Sequence, residues 1–218
     1  MNFQDKIETV FPKKSIMEVM QKAKTKCAES IEIDELDNDK LDELIDSKTF
    51  VLIDGIDAKA RKQLAEKLEK RYGAICFNWY AETNRAFDFD NAEPDHSGHL
   101  MAKIDKAKKE EKPFVLLGFF MTPFKRSVIA TDLTEGFEKV VSFINFEPNH
   151  KTYNRLVNAE FGVNSSQYLA EFNDTPAYHQ YFLEYNFACN RLMNCGETLV
   201  YGYTHCAFLD TEDIKKIG

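Results

Sequence analysis

Three short apolar runs, TFVLID (49–54), AICFNW (74–79) and PFVLLGFF (113–120), alternate with segments of helical periodicity. This constrains the chain more than any other feature, because such runs are too short for buried helices and too uniformly apolar for strands with one wet face. Between them, Leu64, Ala65 and Leu68 recur on one face of a helix predicted over 59–72, closed by Gly73. Leu100, Met101, Ile104 and Ala107 do the same over 96–111, with lysines opposite. Strands alternating with helices imply a parallel sheet covered on both faces. Strands are therefore expected at 49–54, 74–79, 113–120 and 198–203, the first and third adjacent, with SVIAT (127–131) as a shorter one. Further helices are expected over 133–146 and 175–193.

The net charge of −8 is concentrated in one segment. Between Glu29 and Asp46 there are nine acids and only Lys40 against them, so the remainder is neutral overall. A neutral body offers no long positive surface to a nucleic-acid backbone, and no apolar run approaches a membrane span. Residues 1–47 read as a helical, acidic extension, with a short amphipathic helix over 15–28, and 48–218 as the main α/β domain. The acidic segment is a candidate contact for a basic protein partner, or simply a solvated face. Five cysteines at irregular spacing are an odd count, which suits reduced thiols and a cytoplasmic setting better than a disulfide framework. The start, MNFQDKIETVFPKK, lacks the continuous apolar stretch of a secretory leader.

The sharpest local motif is FVLIDGIDAKARKQLAEKLEKRYG (50–73). A phosphate loop joins a buried strand to a helix whose positive end and loop N–H groups face the anion, in the pattern G-x-x-x-x-G-K-[ST]. Gly55 fits the first glycine, Ala60 stands at the second, Arg61 at the lysine, and Lys62 where a hydroxyl would ligate magnesium. With Ile56 and Asp57 this opening resembles the nucleoside monophosphate kinases, thymidylate kinase in particular. LLGFFMT (116–122) is similar to the L-D-G-F-P-R-T stretch of adenylate kinases, with Leu117 at the acid and Met121 at the arginine. The resemblance implies a P-loop-like three-layer fold, a nucleotide or other phosphorylated small molecule as ligand, and a substrate-gripping arginine after the second strand, where Arg85 lies. Gly55, Asp57, Lys59, Arg61, Lys62 and Arg85 are thus the candidate phosphate-binding residues.

Phosphoryl transfer rests on positioning and on charge neutralisation by magnesium, lysine and arginine. With the hydroxyl and the acid replaced, the metal lacks protein ligands, and no catalytic residue is assigned. Three functions stay open: a kinase relative that binds nucleotide or is repurposed without magnesium-dependent transfer, an interaction module on that fold, and a working kinase with an unconventional site and magnesium. The loop DFDNAEPDHSGH (88–99) gathers carboxylates with His96 and His99, which fits either a divalent cation or a helix cap at Asp95. Cys189, Cys195, His205 and Cys206 match no recognised zinc spacing and read as core-packing residues.

Overall fold

The computed structural model describes residues 16–27, 30–33, 35–55, 58–83, 94–118, 120, 123–145, 201–209 and 211–217. Helix α1 (Ile16–Lys26), strand β1 (Ile31–Glu32) and helix α2 (Asn38–Leu44) come first. They lead to β2 (Thr49–Gly55), α3 (Ala58–Tyr72), β3 (Ile75–Asn78) and the short α4 (Trp79–Thr83). Then follow α5 (Pro94–Lys109), β4 (Phe114–Leu117) and α6 (Pro123–Val128), which runs on into a π-helical turn (Ile129–Leu133). Strands β5 (Lys139–Asn145) and β6 (His205–Leu209) and helix α7 (Thr211–Lys216) complete the described elements.

The six strands form one sheet in the order β1-β6-β5-β2-β4-β3, and every pairing is parallel. This is an α/β fold with β2 at the centre, wholly buried along its seven residues. Alternate strand residues feed two cores. Val51, Ile53, Val115, Leu117, Val141 and Phe143 meet Leu41 and Leu44 of α2, Leu64 and Leu68 of α3, and Ile214 of α7. Phe50, Leu52, Phe77, Phe114 and Leu116 meet Leu100 and Ile104 of α5 and Ile129 and Leu133 after α6. Burying each such side chain favours the fold by about 1.5–3 kcal/mol, which explains why both faces of the apolar runs are filled. As expected from the sequence, β2 and β4 are neighbours.

Three expectations are overturned. The segment 133–146 is not a helix, because β5 occupies Lys139–Asn145. Its spacing of Phe137, Val140, Val141 and Ile144 imitates helical periodicity only because a strand buried on both faces has no alternation to show. SVIAT (127–131) is helical, where Val128, Ile129 and Ala130 are buried and packing overrides β-propensity. The last strand lies at His205–Leu209; residues 201–204 precede it as a turn in which Gly202 has φ +87°. The predicted helix over 175–193, with Cys189, lies outside the described residues, as do Cys195 and residues 198–200.

The acidic segment is built into this body. β1 joins the sheet beside β6, and Ile33, Leu41, Leu44 and Ile45 belong to the first core. Asp37 caps α2, accepting the Lys40 N–H at 2.8 Å.

Candidate functional site

Open parallel sheets bind ligands beyond the carboxyl ends of their strands, where successive connections leave in opposite directions. Here that point is the end of β2, since the chain leaves β2 toward β3 on one side, while β5 pairs on the other. The residues at this end are Asp54 and Gly55 of β2, Gly118 and Phe120 after β4, and Asn145 of β5.

Asp54 is completely buried, so its carboxylate needs partners from within the protein. Oδ1 accepts the Gly55 and Phe120 N–H groups, each at 2.7 Å. Oδ2 accepts Arg126 Nη1 of α6, also at 2.7 Å. The same guanidinium donates through Nη2 to Ser142 Oγ on β5 and lies 4.7 Å from the centre of the Tyr203 ring. Tyr203 O–H returns a hydrogen bond to the Arg126 carbonyl at 2.9 Å. Burial opposes the charge on Arg126, but the face of the Tyr203 ring and the Asp54 carboxylate beside it hold it above its ordinary value. Burial pushes the Tyr203 hydroxyl up as well, so it stays a neutral donor. One charged pair thereby joins β2, the residues after β4, α6, β5 and the approach to β6.

Gly55 has φ +128°, and a Cβ there would sit 2.0 Å from the Asn145 carbonyl oxygen. The close approach of β5 therefore requires glycine, whatever the turn binds. Asn145 Nδ2 in turn donates to the Leu209 carbonyl at 3.2 Å, linking β5 to β6.

The motif residues fall differently from a standard phosphate loop. Helix α3 already begins at Ala58, so Ala60, Arg61 and Lys62 are helical rather than part of an extended turn. Arg61 is 3% exposed, and its Nη1 donates back to the Gly55 carbonyl. The turn thus offers an acceptor to an internal cation at the place where a phosphate loop offers donors to an anion. Lys59 and Lys62 are exposed three residues apart, and Lys62 Nζ lies 3.7 Å from Glu66. Asp57 and Arg85 lie outside the described residues, as do Met121 and Thr122. Leu117 is buried as the last residue of β4.

The loop 88–99 is described only from Pro94, where α5 begins. His99 is exposed on that helix, with Nδ1 3.5 Å from Glu82. Among the described residues no group of three or more His, Cys, Asp or Glu is placed to hold a metal. Cys206 is buried on β6, and burial pushes its thiol up; His205 beside it is held below its ordinary value by burial and by Lys139 and Lys40. No helix among the described residues is long and apolar enough to cross a membrane.

Sequence reasoning missed Arg126 and Ser142. The signal was present: an acid ending a strand buried on both faces demands a buried cation, and KRS (125–127) follows the third run. Reading SVIAT (127–131) as a strand left Arg126 outside any predicted element.

No family model matches the chain, and no curated protein matches it. Among solved structures, the chain is similar to an uncharacterized protein from Eubacterium ventriosum ATCC 27560. The identity is 14%, the TM-score 0.39, and the match covers 77% of this chain and 91% of that one. A likeness at this level carries no argument about activity.

Proposed function

We propose that the chain is a degenerate relative of the nucleoside monophosphate kinases. On this reading it binds a nucleotide or another phosphorylated small molecule without magnesium-dependent phosphoryl transfer. One observation supports the reading above others: the two motifs that resemble kinase segments meet at one place. The Gly118 N–H bonds the Ile53 carbonyl at 3.1 Å, and the Phe120 N–H bonds the Asp54 carboxylate. Loss of transfer follows from the same arrangement. Asp54 is fully engaged by Arg126 and two N–H groups, Lys62 replaces the hydroxyl, and Leu117 replaces the second acid, so among the described residues of the two motifs magnesium lacks ligands.

Anion affinity on this reading comes from the first turn of α3 and the exposed Lys59 and Lys62, with Arg61 held inward. Thermal shift with ATP, dTMP and inorganic tripolyphosphate tests it. Each phosphate-bearing ligand should stabilise the chain without magnesium, and the shift should shrink as salt rises or as magnesium neutralises the polyphosphates. The Lys59→Ala, Lys62→Ala double variant should lose the shift while its own stability stays within about 0.5 kcal/mol of wild type. No shift with any ligand would overturn the binding reading, and magnesium-dependent phosphate transfer would overturn the loss of catalysis.

A further inference from the structure

Strand β3 ends the sheet among the described residues, and an open strand edge is a template for pairing with another chain. The Ile75 N–H bonds the Pro113 carbonyl at 2.9 Å, so Ile75 and Phe77 turn their backbone groups inward to β4. By the period of two, Cys76 and Asn78 turn theirs outward. Both groups that would bracket one residue of an incoming strand are already engaged. The Cys76 carbonyl accepts Lys103 Nζ at 3.1 Å, and the Asn78 N–H donates to Glu82 Oε1 at 3.1 Å. The two side chains are bonded to each other, Lys103 Nζ lying 2.9 Å and 2.8 Å from the two Glu82 oxygens.

We propose that the Glu82–Lys103 pair is an edge clamp, occupying the hydrogen-bonding positions of a seventh strand and so preventing β3 from pairing with a second copy of this chain. The ammonium stands where an incoming N–H would be, and the carboxylate where an incoming carbonyl would be. Glu82 comes from α4, which follows β3 directly, and Lys103 from α5, which packs beneath it, so both reach the edge from elements anchored to the same core. Lys103 Nζ also lies 5.3 Å from the centre of the Phe77 ring. The Asn78 side chain accepts the Ala81 N–H at 3.2 Å, so Glu82 helps to cap α4, and it is the Lys103 bond to the Cys76 carbonyl that has no part in that cap. Removing the clamp leaves β3 free to pair antiparallel with its own copy about a two-fold axis.

Three measurements test this. In the wild-type chain, amide hydrogen exchange at Asn78 should be as protected as at Phe77; exchange at the rate of an unstructured amide would overturn the proposal. Lys103→Met keeps the aliphatic stem and removes the donor, and should double the mass read by light scattering as concentration rises, whereas wild type keeps its mass. The double exchange Glu82→Lys, Lys103→Glu keeps opposite charges but sets a donor against the Asn78 N–H and an acceptor against the Cys76 carbonyl. It should associate like Lys103→Met and lose protection at Asn78. If both variants fold by circular dichroism and keep the wild-type mass, the clamp is refuted. If the exchanged pair alone behaves as wild type, charge pairing between α4 and α5 is the whole role. Should neither variant fold, the wild-type exchange decides.

Discussion

Asp54 and Arg126 show how one pair of side chains can organise the end of a sheet. Burying two charges is expensive, and their mutual attraction compensates only when every lone pair and N–H around them is satisfied. Here the carboxylate has three donors, and the guanidinium has Ser142 and the face of Tyr203 as well as its acid. Arg126→Met should therefore cost about 3–5 kcal/mol in urea denaturation, because it strands an uncompensated carboxylate. Asp54→Asn together with Arg126→Met should cost clearly less than the two single changes added, since asparagine still accepts an N–H and leaves no orphan charge. Strict additivity would mean that the pair is not coupled. At Gly55 the expected effect is steric. Gly55→Ala drives a methyl into the Asn145 carbonyl at a positive φ, and a loss of at least about 1–3 kcal/mol is expected by the same measurement. A Gly55→Ala protein of wild-type stability would show that β5 does not impose the glycine.

Among the elements, the acidic segment is where charge and packing meet. Asp42 pairs with Arg71 and accepts the Tyr72 hydroxyl at 2.7 Å, but all of this is exposed, so it contributes little. Asp46 ties the segment to the sheet: Oδ2 accepts Lys139 Nζ of β5 at 2.7 Å, while Oδ1 accepts the Lys48 N–H at 2.8 Å and the Thr49 hydroxyl at 2.9 Å. Burial pushes its carboxyl up, and the bonds from Lys139, Lys48 and Thr49 outweigh this and leave it below the usual carboxylate range. A carboxyl depressed in the folded state stabilises above its unfolded pKa, about 3.9, and that stability is lost as pH falls through the lower folded value. Wild type should exceed Asp46→Asn in stability at pH 6, and the difference should shrink as pH falls below the unfolded value and the folded carboxyl takes up its proton. The gap should also narrow in high salt, because Asp46 is half exposed. A difference independent of pH would assign the segment's attachment to apolar packing alone.

For the whole molecule, the charge pattern of residues 1–47 and the packing of the described ones among them point in opposite directions. The pattern suggests a separable extension that alters partners. The structure gives β1 a place in the sheet and puts Ile33, Leu41, Leu44 and Ile45 in the first core beside α3 and α7. A chain comprising residues 48–218 is expected to unfold or aggregate, as seen by circular dichroism and binding of a hydrophobic dye. Retention of a cooperative melt near the wild-type temperature would show instead that the segment is dispensable.

By itself the sequence determined the class of the fold. The runs at 49–54, 74–79 and 113–120, with helical periods between them, allow little else than a parallel sheet with helices, in which β2 and β4 pair as expected. It also determined that residues at the ends of those runs would share one edge. Only the tertiary structure decided β5, because a strand buried on both faces loses the alternation that marks strands, and SVIAT became helical to cover Phe50 and Leu52. Only the tertiary structure decided what the motif residues do. Arg61 turns inward to the Gly55 carbonyl, and Asp54 takes Arg126 from 72 residues away, because a carboxylate removed from water binds whatever cation the fold brings within 3 Å. Local spacing shows which groups are near one another along the chain, whereas desolvation, a property of the assembled core, decides which of them stay charged, paired and closed to a ligand.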